Sequence, residues 1–557
     1  MFRQIMWCGI VLCGLATSAQ AGETLYNGIV LPDQWPPQIE KLTREPMRVP
    51  YLESPPEIIV IDVGRQLFVD DFLIEHTTLK RSHHRPQYHP DNPVLKPDKS
   101  WECEEAARAA APFSDGVFYD PKDKLFKMWY MGGYIASTCL ATSRDWIHWE
   151  KPSFDVRPGT NEVLSHRDVE PANVGRYRDS STVWLDYQNQ DPNRRYKMFV
   201  TTPIPTRWSL ALRCSDNGIH WSEPLAVSAT KIGDRTTVFY NPFRRKWVFS
   251  LRTDQSGVGR CRGYFEHSDA IAGIKQIANG SVPWTCADRL DPHHPDPNYS
   301  QIEPQLYNLD AVAYESVMLG LFSIWQGPPN NVCAQLKIQK RNEVLAGFSR
   351  NGFHWHRPDR ARFLPVNPTE GAWNWGNVQS AGGCCLVVRD KLYFYVSGRM
   401  LGDRYWDGNC HTGLATMRRD GFASMDADKE VGVLTTRPVR FRGSYLFVNI
   451  DNPDGELRVE VLTEDNKPVE GLSFENCVPI STDSTIQQVS WKGVKDISSL
   501  SGQPVRFKFH LRSGKLYSFW VSPDESGASY GYVSAGGPGF TGPIDNVGKA
   551  GYEQQRK

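Results

Sequence analysis

A turn motif that recurs along the chain restricts the fold more than any other feature of the sequence. It joins a serine, a polar turn, a hydrophobic residue, His-Trp and a proline, as in CSDNGIHWSEP at Cys214–Pro224. The same pattern occurs at Thr142–Pro152 and Phe348–Pro358, and shortened copies occur at His267–Ala270 and Arg418–Ser424. Five related turns indicate repeated units, each of which buries its apolar face against the next.

Each turn follows two strand-like segments joined by a short hairpin. In GVFYDPKDKLFKMWYMGG (116–133), for example, alternating aromatic and aliphatic residues flank an Asp-Pro turn. Units of about 45 to 75 residues made of short antiparallel strands are typical of β-propellers. The sequence therefore predicts an all-β protein with a five-bladed β-propeller over residues 105–430.

Segments on either side of the repeats complete the predicted architecture. Within residues 22–104, the strand pattern RQLFVDDFLIE at Arg65–Glu75 is expected to close the ring by completing the last blade. After the repeats, closely spaced alternating strands predict a β-sandwich in residues 431–557. The tail after YGYVSAGGPGFTGP (530–543) is expected to be loosely ordered.

The first 21 residues have the three regions of a secretory signal peptide. Arg3 precedes an apolar run, and the small residues Ala19 and Ala21 lie where cleavage requires them, so cleavage is expected near Ala21. Leu12 rather than a small residue precedes Cys13, which argues against a lipid anchor. No later stretch has the roughly 20 apolar residues needed to cross a bilayer. We therefore expect a secreted or periplasmic protein without membrane insertion.

Charge and cysteine content argue against several classes of partner. The chain carries 63 basic and 63 acidic residues, so it has no basic excess for binding nucleic acid. Of its 12 cysteines, ten follow the signal peptide; they form no CxxC pair, and no histidine lies at ligand spacing. We expect no metal and no cofactor. The 18 tryptophans suit a carbohydrate partner, although tryptophan is also common in cores.

Candidate catalytic residues emerge when the first strands of the units, which line the channel of a propeller, are aligned. The strands share one hydrophobic position, which is occupied by Val117, Val183, Val238, Val312 and Val387. Four units carry an aspartate two or four residues earlier: Asp115, Asp179, Asp234 and Asp310. Strand side chains alternate with period two, so these even offsets direct all four toward one region. An aspartate before a strand is also a common loop cap.

A ring of carboxylates at the channel mouth suits glycosidic bond cleavage. That reaction uses two carboxyl groups, one as general acid and the other as base or nucleophile. The acid needs a pKa raised by burial or by a neighbouring charge. Glutamate is the usual acid, and the candidates are Glu105, Glu303 and Glu315. Glu315 aligns with hairpin residues at the rim, and Glu266 lies next to the shortened turn at His267–Ala270, so neither of these two is well placed.

Candidate substrate-binding residues flank the carboxylates. Arg178 and Arg235 are adjacent to Asp179 and Asp234. Neighbours in a strand point to opposite faces, so these arginines either pair elsewhere or bind an anionic substituent. Trp373 and Trp375 precede the fifth inner strand, and they either stack on sugar rings or pack in the core.

Several stretches resemble families of carbohydrate-active proteins. The five-unit plan, Arg178-Asp179, NPVL at 92–95 and the trailing sandwich resemble the superfamily of glycoside hydrolase families 32 and 43. The stretches IDVGRQLFVDDFLIE, LYNLDAVAYESVMLG and MRRDGFAS are similar to secreted, family 32-like bacterial proteins that are common in planctomycetes. The resemblance implies a five-bladed propeller that hydrolyses glycosidic bonds.

The family 32 pattern also implies roles for individual residues. It has an aspartate nucleophile in the first blade, a stabilising aspartate in an Arg-Asp-Pro motif in the second, and a glutamate acid in a Glu-Cys motif in the third. Asp115 matches the first by strand position, and Asp179 matches the second, with Ser180 in place of the proline. The third unit offers Asp234 and no Glu-Cys pair.

Three functions remain open at this point. The leading interpretation is a secreted hydrolase of a polysaccharide or oligosaccharide. The main alternative is a carbohydrate-binding propeller without catalysis, which the missing Glu-Cys motif favours. A sialidase-like enzyme is the third, because the repeated turns resemble Asp boxes; six blades and an arginine triad would distinguish it.

Overall fold

The computed structural model of the chain describes residues 22–103, 107–165, 178–202, 208–400 and 409–553. The predicted signal peptide and Glu105 lie outside these ranges. Within them the protein consists mainly of β-strands, which confirms the predicted all-β class. The α-helices are short: α1 (Pro50–Glu53), α2 (Ala270–Gln276), α3 (Asn330–Leu336) and α4 (Ala550–Glu553).

The strands fall into three groups along the chain. The N-terminal strands are β1 (Ile59–Val60), β2 (Gln66–Leu67), β3 (Ile74–Thr77), β4 (Lys80–His83) and β5 (Gln87–Tyr88). The repeated units contain β6 (Ala110–Asp120), β7 (Leu125–Gly132), β8 (Ser137–Ser143), β9 (Glu162–Leu164), β10 (Ser181–Leu185), β11 (Tyr196–Thr202), β12 (Ser209–Ser215), β13 (Ala226–Val227), β14 (Thr237–Asn241), β15 (Lys246–Gln255), β16 (Gly259–His267), β17 (Val282–Cys286), β18 (Gln305–Glu315), β19 (Val317–Gly327), β20 (Arg341–Ser349), β21 (Asn377–Ser380), β22 (Leu386–Val388), β23 (Lys391–Met400) and β24 (Asn409–Arg418). The C-terminal strands are β25 (Ala423–Ala427), β26 (Gly432–Thr436), β27 (Val439–Arg440), β28 (Tyr445–Asp451), β29 (Glu456–Thr463), β30 (Asp483–Gln488), β31 (Val505–Arg512), β32 (Gly514–Ser522) and β33 (Tyr532–Val533).

The repeated units form sheets in chain order. β6–β9, β10–β13 and β14–β17 are separate four-stranded antiparallel sheets. The fourth unit, β18–β21, and the fifth, β22–β24, are joined because β21 pairs with both β20 and β23. Every residue of β6 is buried, as expected for a strand covered on both sides by neighbouring units.

The first strands of the units lie around a common axis. β6 contacts β10, β10 contacts β14, β14 contacts β18, and both β21 and β22 contact β6. Hydrogen bonds link neighbours in this ring: Thr237 Oγ1 donates to the Leu309 carbonyl at 2.6 Å, and the Val117 amide donates to the Gly382 carbonyl at 3.2 Å. Ser380 of β21 also donates to Asp310 of β18. We interpret this ring as the inner strands of the propeller, and the count of five blades stays a prediction.

The strand that completes the last unit is β5, which corrects the ring-closing role expected for Arg65–Glu75. β5 pairs with Ala415 and Thr416 of β24. The Arg65–Glu75 segment instead contributes β2 and β3, which pair with the C-terminal strands β32 and β26. Its residues Phe68, Phe72, Leu73 and Ile74 are buried in the core of the C-terminal domain, whereas Leu67 and Val69 pack in the core of the propeller.

The C-terminal domain is a β-sandwich. One sheet has the order β1-β27-β31-β26-β3 with β29 beside β31, and the other has the order β30-β28-β32-β25-β4 with β2 beside β32. Phe507 of β31 and Phe519 of β32 meet between the sheets, with ring centroids 5.7 Å apart. The domain begins at β25, before the predicted boundary at residue 431, and it includes the N-terminal strands β1–β4.

The tail packs against the base of the propeller, which corrects the expectation of loose order. β33 pairs with Tyr314 and Glu315 at the end of β18. Buried charged side chains join the tail, the propeller and the sandwich, and we call them the base cluster: Arg65, Glu315, Arg419, Asp420 and Asp545. Arg419 Nη2 lies 2.8 Å from both Glu315 Oε1 and Asp545 Oδ2. Arg65 Nη1 lies 3.1 Å from Asp420 Oδ2.

The repeated turns fasten each unit to the unit before it. Gly218 of CSDNG has φ of +80°, and its carbonyl oxygen accepts a hydrogen bond from Trp129 Nε1 at 2.9 Å. A Cβ at this position would lie 2.5 Å from the Trp129 ring, so glycine permits the close approach. In the same way, the Phe353 carbonyl accepts a hydrogen bond from Trp284 Nε1 at 2.8 Å. The motif is therefore structural.

Candidate active site

Three of the four predicted aspartates lie around one guanidinium group, that of Arg235. Arg235 immediately precedes β14, with φ of +55°, and its Nε lies 3.1 Å from Asp179 Oδ1. Its positive charge also acts on the carboxyl groups of Asp115 and Asp310. We call the buried polar side chains at this end of the inner strands the mouth cluster: Asp115, Asp179, Asp310, Arg178, Arg235, Arg262, Arg399, Tyr134 and Tyr307.

Asp115 lies in an irregular part of β6. Phe113 and Ser114, just before it, have φ of +35° and +78°, a strained conformation of the kind that concentrates at functional sites. Asp115 is completely buried, and Arg178 donates to both of its carboxylate oxygens, with Nη1 to Oδ2 at 2.8 Å and Nη2 to Oδ1 at 2.5 Å. Burial raises the pKa of Asp115 to about 6, and the charge of Arg178 opposes this rise.

Arg178 holds its neighbours in place with its whole guanidinium group. Besides its bonds to Asp115, Nη1 donates to Thr138 Oγ1 at 2.7 Å, and Nε and Nη2 both donate to the Asp179 carbonyl at 3.1 Å. These bonds use all five N–H groups of an arginine. The geometry therefore favours a positioning role for Arg178 over the predicted contact with substrate.

Asp310 has uncharged donors around its carboxyl group. Its Oδ2 accepts hydrogen bonds from Ser114 Oγ at 3.0 Å, Asn308 Nδ2 at 3.0 Å and Ser380 Oγ at 2.5 Å. Burial raises the pKa of Asp310 to about 6, although these hydroxyl groups oppose the rise. A carboxyl group held by neutral donors takes up a proton more readily than one held by a bidentate arginine, so Asp310 suits the role of proton donor.

Asp179 and Asp234 differ in their surroundings. The carboxyl side chain of Asp179 is 8% exposed beside Arg235, whereas that of Asp234 is 31% exposed. Asp234 Oδ1 lies 3.3 Å from Arg252 Nε, and Arg252 also contacts Asp254. Asp234 thus lies at the rim, while the other three predicted aspartates belong to the buried mouth cluster.

The sequence analysis missed four members of the mouth cluster. Arg262 of β16 donates to the carbonyl oxygens of Arg235 at 2.7 Å and Tyr307 at 2.5 Å, and to Asn308 Oδ1 at 3.0 Å. Arg399 of β23 donates from Nη2 to the Tyr134 hydroxyl at 3.2 Å. Arg399 is a charged residue within the mainly apolar strand β23, a signal that could have indicated it. Arg262 gives no such signal, because β16 also carries Arg260, Glu266 and His267.

Tyr307 lies among positive charges at the start of β18. Burial by itself would raise the pKa of its hydroxyl group, but the charges of Lys340, Arg235, Arg260 and Arg399 bring the pKa below its usual range. The guanidinium group of Arg260 lies 4.6 Å from the centre of the Tyr307 ring. The electrostatic potential at the mouth is therefore positive.

The predicted tryptophans pack within the fifth unit. Trp373 lies against Gly398 and Gly413, where an added Cβ would come within 2.4 and 2.0 Å of its ring, and it meets Tyr88 edge to face. Trp375 is half-buried in the same segment. For Trp373, these contacts favour the core alternative; the stacking of either residue on a sugar stays a prediction.

The described glutamates proposed as acids lie away from the mouth cluster. Glu315 belongs to the base cluster at the opposite end of β18, and Glu303 is 57% exposed beside Arg44.

The described residues contain no group of three or more His, Cys, Asp or Glu side chains placed to hold a metal ion. In the same part of the chain, no helix is long and apolar enough to cross a membrane.

Comparison with known proteins gives matches at the level of structure. No protein-family model matches the chain, and no curated protein does. A thermostable family-43 glycoside hydrolase is similar, with 11% identity, a TM-score of 0.39, and coverage of 56% of this chain and 92% of that chain. A fructofuranosidase from Schwanniomyces occidentalis has 13% identity, a TM-score of 0.37, and coverage of 78% and 97%. A GH43 protein from Bacillus licheniformis has 9% identity, a TM-score of 0.39, and coverage of 80% and 100%. Because these sequence identities and TM-scores are low, the fold is assigned from the sheet topology alone.

Proposed function

We propose that this protein is a carbohydrate-active hydrolase that cleaves glycosidic bonds at the mouth cluster. The observation that carries the proposal is a pair of carboxyl groups at the mouth, Asp310 with its pKa raised to about 6 by burial and Asp179 beside the cation of Arg235. A catalytic acid works best when its pKa lies near the operating pH, and buried carboxyl pairs are what glycosidic cleavage requires.

Asp310 is the proposed general acid, and Asp179 is the proposed base or nucleophile. Asp310 is held by neutral donors, and Asp179 keeps an exposed edge beside the fixed charge of Arg235. Asp115 acts through Arg178, which it orients and which in turn holds the backbone of Asp179. Asp234 lies at the rim, where it contacts the outer part of the sugar.

The test is turnover of a polysaccharide panel by the full chain and by two variants, Asp310→Asn and Asp179→Asn. Each is expected to lower turnover by about 10²- to 10⁴-fold, because each removes a proton-transferring or nucleophilic group. Asp145→Asn is the matched control, since Asp145 lies in an exposed turn and contacts His148. Turnover that survives both substitutions at the mouth would overturn the proposed site.

The alternative function is carbohydrate binding without catalysis. It is favoured by the complete burial of Asp115 and by the lack of a Glu-Cys motif in the third unit. Saturable binding by the wild-type protein, with no product released from any member of the panel, would establish this alternative.

The proposal also includes export and a place in a family 32-like group of secreted bacterial proteins. The signal-peptide pattern that ends near Ala21 and the resemblances at IDVGRQLFVDDFLIE and MRRDGFAS support it. N-terminal sequencing of the protein recovered from the periplasm or the medium should give Gly22 as the first residue. Recovery of the uncleaved chain from the cytoplasm alone would overturn the export proposal.

A further inference from the structure

Arg235 has more hydrogen-bond donors than the described protein groups satisfy. Its side chain is 3% exposed, with Nε beside Asp179 and Nη2 3.4 Å from the Tyr134 hydroxyl. Nη1 is buried and has no hydrogen-bond partner among the described residues. Buried N–H groups are nearly always paired in folded proteins, so this donor indicates a place where a ligand atom belongs.

A second guanidinium group converges on the same place. Arg399 donates to the Tyr134 hydroxyl that Arg235 also approaches, and both guanidinium groups lie beside the Phe113 ring, at 5.1 and 5.2 Å from its centre. Arg235 also contacts the Asp179 carboxylate, so one negative charge already lies beside this pair of cations. An anion at this position would interact favourably with both.

Two further cations surround the site. Arg262 is completely buried, and within the described residues its guanidinium group donates to carbonyl and amide oxygens. Arg260 lies over the Tyr307 ring. The charge of Arg262 is therefore not neutralised by a directly bonded carboxylate in this part of the structure.

Tyr134 and Tyr307 are less completely buried than the arginines Arg262 and Arg399. Tyr134 is 9% exposed and Tyr307 is 6% exposed, while Arg262 and Arg399 are completely buried. Tyr134 and Tyr307 thus retain more exposed surface than these two arginines. This arrangement suits an acidic substituent that accepts hydrogen bonds from Tyr134 and Arg235.

The geometry points to a subsite for an anionic group of the sugar, a carboxylate or a sulfate, between Arg235 and Arg399 at the Tyr134 hydroxyl. The substrate class is then an acidic saccharide. This inference rests on the proposed function only in taking the ligand to be a carbohydrate.

The experiment compares ligands that differ in charge alone. Calorimetric binding and product release are measured for galacturonan oligosaccharides and their methyl esters, and for a sulfated galactan and its desulfated form. The charged member of at least one pair is expected to bind about 10- to 100-fold more tightly, the range for hydrogen bonds to charged groups. The two pairs distinguish a carboxylate from a sulfate.

Variants tie this preference to the subsite. Tyr134→Phe keeps the ring and removes the hydroxyl group, and it should lower the preference for the charged member by about tenfold. Tyr395→Phe is the matched control, because the buried Tyr395 hydroxyl donates to the Trp146 carbonyl outside the mouth cluster. Circular dichroism and thermal unfolding establish that both variants fold.

Each outcome decides between the inference and the proposed function. Turnover of neutral members with equal or better binding than their charged partners overturns the subsite and leaves the hydrolase intact. Tight binding of charged members without product keeps the subsite and overturns the hydrolase. A preference that Tyr134→Phe and Tyr395→Phe leave unchanged places the anion elsewhere and overturns the subsite. Failure of every pair to bind overturns both.

Discussion

The two ends of the inner strands both bury charges, but with opposite balance. At the base, Arg65 and Arg419 contact the carboxylates of the base cluster directly, and all five side chains are completely buried. At the mouth, Arg262 is equally buried, yet within the described residues it donates to neutral oxygens.

The difference separates two uses of buried charge. Ion pairs at the base join the tail, the propeller and the sandwich, so their role is to stabilise the folded structure. A buried cation without a bonded carboxylate forms no such ion pair. Proteins keep such groups mainly where a ligand is bound or a reaction takes place. For Arg262, this contrast supports the proposal that the mouth is the functional end of the propeller.

Removal of one arginine from each end gives the largest expected effect. Arg419→Met leaves Asp545 buried without its cation and removes one of the two cations beside Glu315, so it should lower the free energy of unfolding by about 3 to 5 kcal/mol. Arg262→Met leaves only neutral acceptors unpaired, so its loss should be about 1 to 3 kcal/mol. Denaturant titrations of both variants at neutral pH measure the difference. Equal losses would contradict the distinction between the two clusters.

The two ends should also respond oppositely to pH. The pKa of Asp310 is raised by burial from 3.8 to about 6, so its protonated form stabilises the fold below pH 3.8, and this stabilisation is lost as the pH rises to about 6. The change amounts to about 3 kcal/mol. Asp310→Asn lacks this group. The advantage of the wild type over this variant in unfolding free energy should therefore shrink by about that amount between pH 4 and pH 7.

Asp420 at the base supplies the matched comparison. Burial acts to raise its pKa, but Arg65 and Arg419 outweigh burial and lower it. Its ionised form stabilises the fold above pH 3.8, and this contribution is lost as the pH falls. The advantage of the wild type over Asp420→Asn should thus grow as the pH rises from the acid range, and parallel pH curves for the two variants would refute the assigned environments.

The repeats made much of the fold and part of the site predictable. The recurring turn located the inner strands, and with them Asp115, Asp179 and Asp310, because strand periodicity carries from one unit to the next. The partner of Arg65–Glu75 could not be read from its pattern, since alternation shows that a strand has a buried face and not which sheet covers it. Arg399 could not be placed either, because its role depends on a tyrosine from another unit.

Tyrosine ionisation offers the finest test of the contrast. Cations at the mouth lower the pKa of Tyr307, whereas burial and the charge of Asp420 raise that of Tyr314 at the base well above its usual range. Tyr307→Phe should therefore remove tyrosinate ultraviolet absorbance that the wild type develops below about pH 10, the ordinary tyrosine pKa. Tyr314→Phe should leave this part of the titration unchanged. Identical curves for the two variants would show that the mouth lacks the positive potential assigned to it. An acidic saccharide bound at the mouth should raise the pKa of Tyr307, because it adds a negative charge beside the hydroxyl group.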